Sequence, residues 1–158
     1  MPWLKRIDDR RYRPSGRVCR RWRCSCPIHR GATRGRHTFA LGTWGGEFHP
    51  DFQPQSGEVV AHEHWAQSGF ANTDLDAQLR QHGITHVVTI GLLANTCIES
   101  TSRFAMELGY HVTLVRDATA AVQPAMMHAA HELNGPTFAH AIVATADVVT
   151  AFKAAARP

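Results

Sequence analysis

The residues best suited to chemistry lie in Gly91-Leu92-Leu93-Ala94-Asn95-Thr96-Cys97-Ile98-Glu99-Ser100, where an apolar run breaks into a short turn and a helical pattern opens on a cysteine. A thiolate is a strong nucleophile, and the unpaired amides and dipole of a helix N-terminus favour it over the thiol. Cys97 is therefore a candidate for covalent attack on a carbonyl carbon. The competing reading is a buried, inert thiol, since free cysteine is among the most buried residue types. Position alone leaves both open.

Two elements must position this turn. Ile84-Thr85-His86-Val87-Val88-Thr89-Ile90 is rich in β-branched residues and lies between Gly83 and Gly91, the pattern of a buried strand in a parallel sheet. Ile98, Ser102, Ala105 and Leu108 then recur at helical spacing, with Phe104 beside them, until Gly109 offers a left-handed cap. Ligands of open α/β sheets bind just beyond the carboxyl ends of the strands, which is where Cys97 falls.

The rest of the chain repeats this alternation. Residues 39–54 mix Gly, Pro and aromatics in the manner of an ordered loop over a core, and Gly57 to Glu63 reads as a short strand. Thr73 can cap a helix with Asp76 in its third position, a variant of the capping box, and with Leu75 and Leu79 one turn apart. Tyr110 to Val115 reads as a strand, Asp117 to Gln123 as a loop, and Pro124 to about Leu133 as a helix ended by Asn134-Gly135-Pro136. Ala141-Ile142-Val143 is a last strand, and Thr145 caps an alanine-rich helix to about Ala156. His128, His131 and His140 invite a metal reading, but solvent-facing helix positions explain the first two more simply. Strand–helix alternation of this kind predicts an α/β fold, a Rossmann-like three-layer α/β/α arrangement with a mainly parallel sheet.

Composition narrows the possibilities. At 158 residues one core is the default, and no apolar run approaches the roughly 20 residues of a membrane span. Four cysteines, with Cys19, Cys24 and Cys26 crowded and Cys97 distant, do not form a secreted disulfide framework; a soluble cytoplasmic protein is expected. The net charge of +4 divides unevenly, with 12 of the 17 Lys and Arg in residues 1–37 against Asp8 and Asp9 only. That segment has no apolar periodicity. A nucleic-acid arm using Trp3, Tyr12 or Trp22, a metal site from Cys19, Cys24, Cys26 and His29, and a disordered or non-native stretch without function compete for it, and the last is favoured. The division of the chain is thus a basic segment over 1–37 and a folded domain over 38–158.

Several spaced motifs resemble the isochorismatase-like cysteine hydrolases. They are Gly42-Thr43, Glu47, His49-Pro50 and Pro54; Ser68-x-Phe70-x-x-Thr73-x-Leu75; Gly91-x-x-x-Asn95-x-Cys97-Ile98-Glu99-Ser100-Thr101; and Gly109-Tyr110-x-Val112 with Asp117-Ala118, over about residues 39–150. The resemblance implies a sheet of about six strands, homo-oligomers, and cleavage of an amide or ureido C–N bond of a small molecule through a covalent Cys97 adduct. It also implies a cis peptide between Leu92 and Leu93 and an oxyanion hole from the N–H groups of Leu93 and Cys97. One such donor is typically worth about 3 kcal/mol of barrier. Trp44, Phe48, Trp65 and Phe70, with Asn95, are the plausible pocket lining, against the alternative that the aromatics are ordinary core. No cofactor or metal is expected, because Glu47-Phe48-His49-Pro50-Asp51 does not match the Asp-x-His metal arrangement of nicotinamidase-like relatives.

Two positions depart from the family pattern. Its triad adds an aspartate at the end of an N-terminal strand and a lysine at the end of the strand before Ser68-x-Phe70. Asp8 and Asp9 follow no central-strand pattern, the chain's lysines are Lys5 and Lys153, and counting places Glu63 or His64 at the lysine position. A catalytically impaired member serving only as an assembly module is the alternative this raises. Residues 1–37 resemble the out-of-frame product of a GC-rich gene that has replaced the first strand. If so, another frame of the upstream nucleotides encodes an apolar strand ending in aspartate; its absence from both other frames rejects the idea.

Overall fold

The computed structural model describes residue 44, residues 47–61 and residues 67–155. The expectations for residues 1–37, including the replacement of a first strand, lie outside the described residues. At the centre of what is described stands a parallel sheet of three strands, β1 (His86–Leu92), β2 (His111–Ala120) and β3 (Ala141–Val143), in the order β1-β2-β3. Helix α1 (Leu75–Gln81) precedes β1, α2 (Glu99–Glu107) joins β1 to β2, α3 (Pro124–His128) opens the connection to β3, and α4 (Thr145–Ala155) follows it. The α/β class and the parallel sheet are those expected from strand–helix alternation.

One face of the sheet carries the core. Val87 and Val112 are register partners, and Val112 is buried with Leu75, Leu79, Phe70, Ala105 and Tyr110 from α1, α2 and their flanking turns. Leu114, two residues further on the same face, lies against the backbone of Gly135. Full burial of side chains such as Leu75, Val112 and Leu114 stabilises by about 1.5–3 kcal/mol each. Gly109, at φ +90, lets the Tyr110 amide donate to the Ala105 carbonyl at 2.9 Å, so α2 closes and turns directly into β2.

Four local expectations change. The first strand runs from His86 to Leu92 and is only half-buried, with Val88, Ile90 and Leu92 exposed on the face away from the core. An uninterrupted β-branched run signals two covered faces, and the described elements cover one. The second strand continues to Ala120 instead of ending at Val115, because β1 pairs with it twice. Thr89 pairs with Leu114, but Gly91 pairs with Thr119, so residues 115–118 bulge opposite Ile90 alone. Residues 57–61 form no strand, since Gly57 turns at φ +85 and the Glu58 carboxylate folds back to accept the Gln55 amide at 3.0 Å.

The fourth change concerns Asp76. It does not cap α1, whose first amide is bound by Thr73 Oγ1 at 3.3 Å. Instead its carboxylate accepts the Tyr110 hydroxyl at 2.6 Å and the Arg80 Nε at 3.0 Å, while Arg80 also donates to the Leu108 carbonyl at 3.0 Å. The Tyr110 bond first, and Arg80 second, hold the Asp76 pKa below its ordinary value; burial and the same bond push Tyr110 up to about 12. Stability from Asp76 is therefore present above the ordinary carboxylate pKa and lost as pH falls through the lowered one. Tyr110→Phe should cost about 1–2 kcal/mol at neutral pH, the value of a hydrogen bond to a partly screened charge. Denaturation at pH 7 and near pH 3 checks this, and the penalty should shrink at the lower pH.

Candidate active site

Cys97 sits where β1 hands the chain to α2. The Leu92–Leu93 peptide at the end of β1 is cis, in the position that the family resemblance implied. After it the chain makes a π-helical turn, Ala94–Ile98, which runs into α2. The helical pattern therefore starts three residues before Cys97, and the cysteine lies inside its first turn instead of opening it. The Leu93 carbonyl holds this turn closed, accepting the Thr96 amide at 3.2 Å and the Ile98 amide at 3.1 Å. Cys97 is 6% exposed, and the Thr96 hydroxyl donates to its Sγ at 3.7 Å. A donor on sulfur favours the charged form.

Neighbouring segments enclose the turn. The Gly69 amide donates to Thr101 Oγ1 at 3.0 Å and Ser100 Oγ donates to the Gln67 side chain at 3.5 Å, so residues 67–70 lie against the start of α2. Behind α2, the Glu99 carboxylate accepts Arg103 at 3.0 Å and Asn134 Nδ2 at 3.1 Å. Thr119, opposite Gly91, donates to the Arg116 carbonyl at 3.2 Å and so accepts from His131 Nε2 at 2.8 Å. His131 is thus buried, not solvent-facing as a helix pattern suggests, while His128 is exposed. Burial first, and Arg116 second, lower the His131 pKa. On the outer side of the bulge, Asp117 accepts the Thr145 amide at 2.7 Å and its hydroxyl at 2.8 Å, which anchors α4 and lowers the Asp117 pKa.

The residues singled out from sequence divide into three groups. Leu92, Leu93, Asn95 and Cys97 come together in one turn, and Asn95 Oδ1 is buried there with no hydrogen-bond donor among the described residues. Phe70 packs with the core, its ring 5.7 Å from that of Tyr110, and Trp44 is 94% exposed. A core aromatic and a pocket aromatic look alike in sequence, which is why both were candidates. Glu63, His64 and Trp65 lie outside the described residues, directly before Gln67 in the chain. Thr96 and Thr119 were missed. Thr96 adjoins the cysteine and was open to recognition, whereas the place of Thr119 depends on a register shift that no local pattern encodes. Among the described residues no group of three or more His, Cys, Asp or Glu is placed to hold a metal ion.

Gly91 is what the turn needs just before the cis bond. Its φ is +115, and a Cβ there would meet Ile98 Cδ1 at an ordinary 3.6 Å, so conformation and not space demands glycine. Gly91→Ala should destabilise by about 1–3 kcal/mol and change the alkylation rate of Cys97. Chemical denaturation and thiol labelling of the two proteins check it.

A family model described as the isochorismatase domain matches residues 27–153. Over 108 residues the chain is 39% identical to ureidoacrylate amidohydrolase RutB of Caulobacter vibrioides, covering 68% of this chain and 48% of that protein. It thus spans about half the length of the curated relatives it matches. Among solved structures, an isochorismatase-like hydrolase from Alkaliphilus metalliredigens is 32% identical with a TM-score of 0.66, covering 70% of this chain and 60% of that one. N-carbamoylsarcosine amidase from Thermoplasma acidophilum is 35% identical with a TM-score of 0.58 over the same shares. With the match extending over most of its length and running through the Cys97 turn, the chain belongs to the isochorismatase family.

Proposed function

We propose that the protein is a cysteine hydrolase that cleaves an amide or ureido C–N bond of a small molecule, with Cys97 as nucleophile. The observation that carries this reading is the turn itself, which sets Cys97 just past the end of β1 and within the first turn of the following helix, its sulfur bonded by Thr96. The relatives' names agree in chemistry, one acting on a ureido compound and another on an N-carbamoyl compound.

The Cys97 thiol gives up its proton and the sulfur attacks the carbonyl carbon. Charge then builds on the carbonyl oxygen, where the N–H groups of Leu93 and Cys97 stabilise it. Collapse of this intermediate breaks the C–N bond, the departing nitrogen takes a proton, and the carbonyl remains on the Cys97 sulfur, as a thioester from an amide or a thiocarbamate from a ureido compound. Water attacks this carbonyl, releasing a carboxylic acid, or a carbamic acid that decomposes to carbon dioxide and an amine or ammonia, and restoring the thiol. Glu63 or His64 stands nearest in sequence to the proton-transfer position. Asn95 lines the pocket, and its buried Oδ1 supplies an acceptor for an N–H of the substrate. The exposed apolar face of Val88, Ile90 and Leu92 supports assembly into a homo-oligomer, since subunits cover such patches.

A second reading, a catalytically impaired member acting only as an assembly module, is favoured by the lack of an aspartate or lysine at the family's triad positions. Turnover separates the two. Incubation of the purified chain with ureidoacrylate or N-carbamoylsarcosine should release ammonia. Cys97→Ala should lower the rate by at least about 10³-fold and Asn95→Ala by about 10-fold, in line with loss of a nucleophile and of one substrate hydrogen bond. Hydrolysis that survives Cys97→Ala contradicts the first reading. No turnover together with an ordinary thiol rate toward iodoacetamide establishes the second.

A further inference from the structure

The covalent steps use the Cys97 sulfur but give its hydroxyl neighbour no task. Thr96 Oγ1 donates to Cys97 Sγ at 3.7 Å, and this is the hydrogen bond its side chain makes among the described residues. The backbone leaves that hydroxyl little choice. The Thr96 amide donates to the Leu93 carbonyl at 3.2 Å, and the Thr96 carbonyl accepts the Glu99 amide, so the residue is fixed on both sides within the π-helical turn.

A threonine in a helix usually turns its hydroxyl back to the carbonyl three or four residues earlier, and its branched Cβ restricts the alternatives. Here those residues are Leu93 and Leu92. The Leu93 carbonyl already accepts the amides of Thr96 and Ile98, and Leu92 still belongs to β1. The hydroxyl goes to sulfur. Sulfur accepts weakly as a thiol and strongly as a thiolate, so a donor placed there discriminates in favour of charge. At a residue only 6% exposed such a donor replaces solvation that water supplies poorly. No lysine lies near this turn in the sequence, the two being Lys5 and Lys153, which adds to the weight of a neutral donor.

We propose that Thr96 is a catalytic hydroxyl, whose hydrogen bond holds the Cys97 sulfur as thiolate before attack and receives it again when water displaces it. This rests on the reading of Cys97 as nucleophile. The hydroxyl keeps its own hydrogen throughout. The thiol proton leaves to the separate proton-transfer group, the S–C bond forms, and when that bond breaks its electron pair returns to sulfur, where the same donor meets it. Such a donor lets the thiolate form at lower pH but makes each thiolate a weaker nucleophile, with a Brønsted slope of about 0.4–0.5. Its removal should therefore act with opposite sign at low and at high pH.

The test is the rate of Cys97 alkylation by iodoacetamide between about pH 5 and pH 10 in the full chain, followed on the peptide containing Cys97, for wild type, Thr96→Val and Thr96→Ser. Valine keeps the branched shape and removes the donor. Loss of one charge-assisted bond should cut the thiolate fraction below the midpoint roughly fivefold. Alkylation by Thr96→Val should then be about twofold slower than wild type below the midpoint and about twofold faster on the high-pH plateau. Serine should restore the wild-type profile. The ionisable groups on elements packed against the turn, Glu99 with Arg103, Arg116 with Glu132, Asp117, His128 and His131, are common to all three proteins, so a crossing of the profiles reports the hydroxyl. Profiles that superimpose, or a rate lowered at every pH with the midpoint unchanged, overturn the inference. If Thr96→Val does not fold, Thr96→Ala takes its place. Superimposable profiles beside Cys97-dependent turnover overturn this inference alone, whereas turnover that survives Cys97→Ala overturns the reading beneath it.

Discussion

The constraint on which this structure depends is the handover from a parallel strand to a helix in the two residues between Leu92 and Ala94. A β-strand leaves its backbone groups to its neighbours, whereas a helix needs its first amides bound within a turn. The Leu93 carbonyl meets that need by accepting both Thr96 and Ile98, and the resulting wide turn places Cys97 just beyond the sheet. Glycine at φ +115 immediately upstream gives the strand the conformation it needs there. On the far side of the same strand pair, the bulge in β2 brings Thr119 opposite Gly91 and sends Asp117 outward to anchor α4. One irregularity in register thus sets Thr119 opposite Gly91 and fixes the last helix.

Around this handover the polar groups are arranged by burial. Asp76, Tyr110 and Arg80 tie α1 to the end of α2 through charge-assisted bonds at the surface of the core, and Glu99 does the same between α2 and the segment leading to β3 through Arg103 and Asn134. These bonds brace α2 at both ends. A cysteine at the N-terminus of a helix braced in this way keeps its place relative to the sheet, as the proposed attack on a bound carbonyl requires. The core itself lies on one face, while Val88, Ile90 and Leu92 form an apolar surface on the other.

Much of this was legible in the residues. Gly109 and the spacing of Ile98, Ser102 and Ala105 announced α2, Pro124 announced α3, and the motif around Cys97 located both the turn and its cis bond. What escaped was decided by tertiary partners. Asp76 looked like a cap because its spacing from Thr73 fits one, but a tyrosine 34 residues away offered a better partner. His131 looked solvent-facing until the bulge supplied Thr119 as its acceptor. Tyr110 to Val115 ended early in the sequence pattern because Arg116 and Asp117 are polar, yet the strand resumes pairing beyond them. Side-chain type likewise left open that Phe70 packs with the core and that Trp44 faces outward.

The proposed covalent chemistry at Cys97 rests on family membership and on the geometry of the turn. The most direct measurement is intact-protein and peptide mass spectrometry after rapid acid quench of the purified chain with an N-carbamoyl substrate. The account predicts a transient adduct on the peptide containing Cys97, with the mass of the acyl portion and without the departing amine. Turnover with no adduct at Cys97, or with the adduct on another residue, would contradict it.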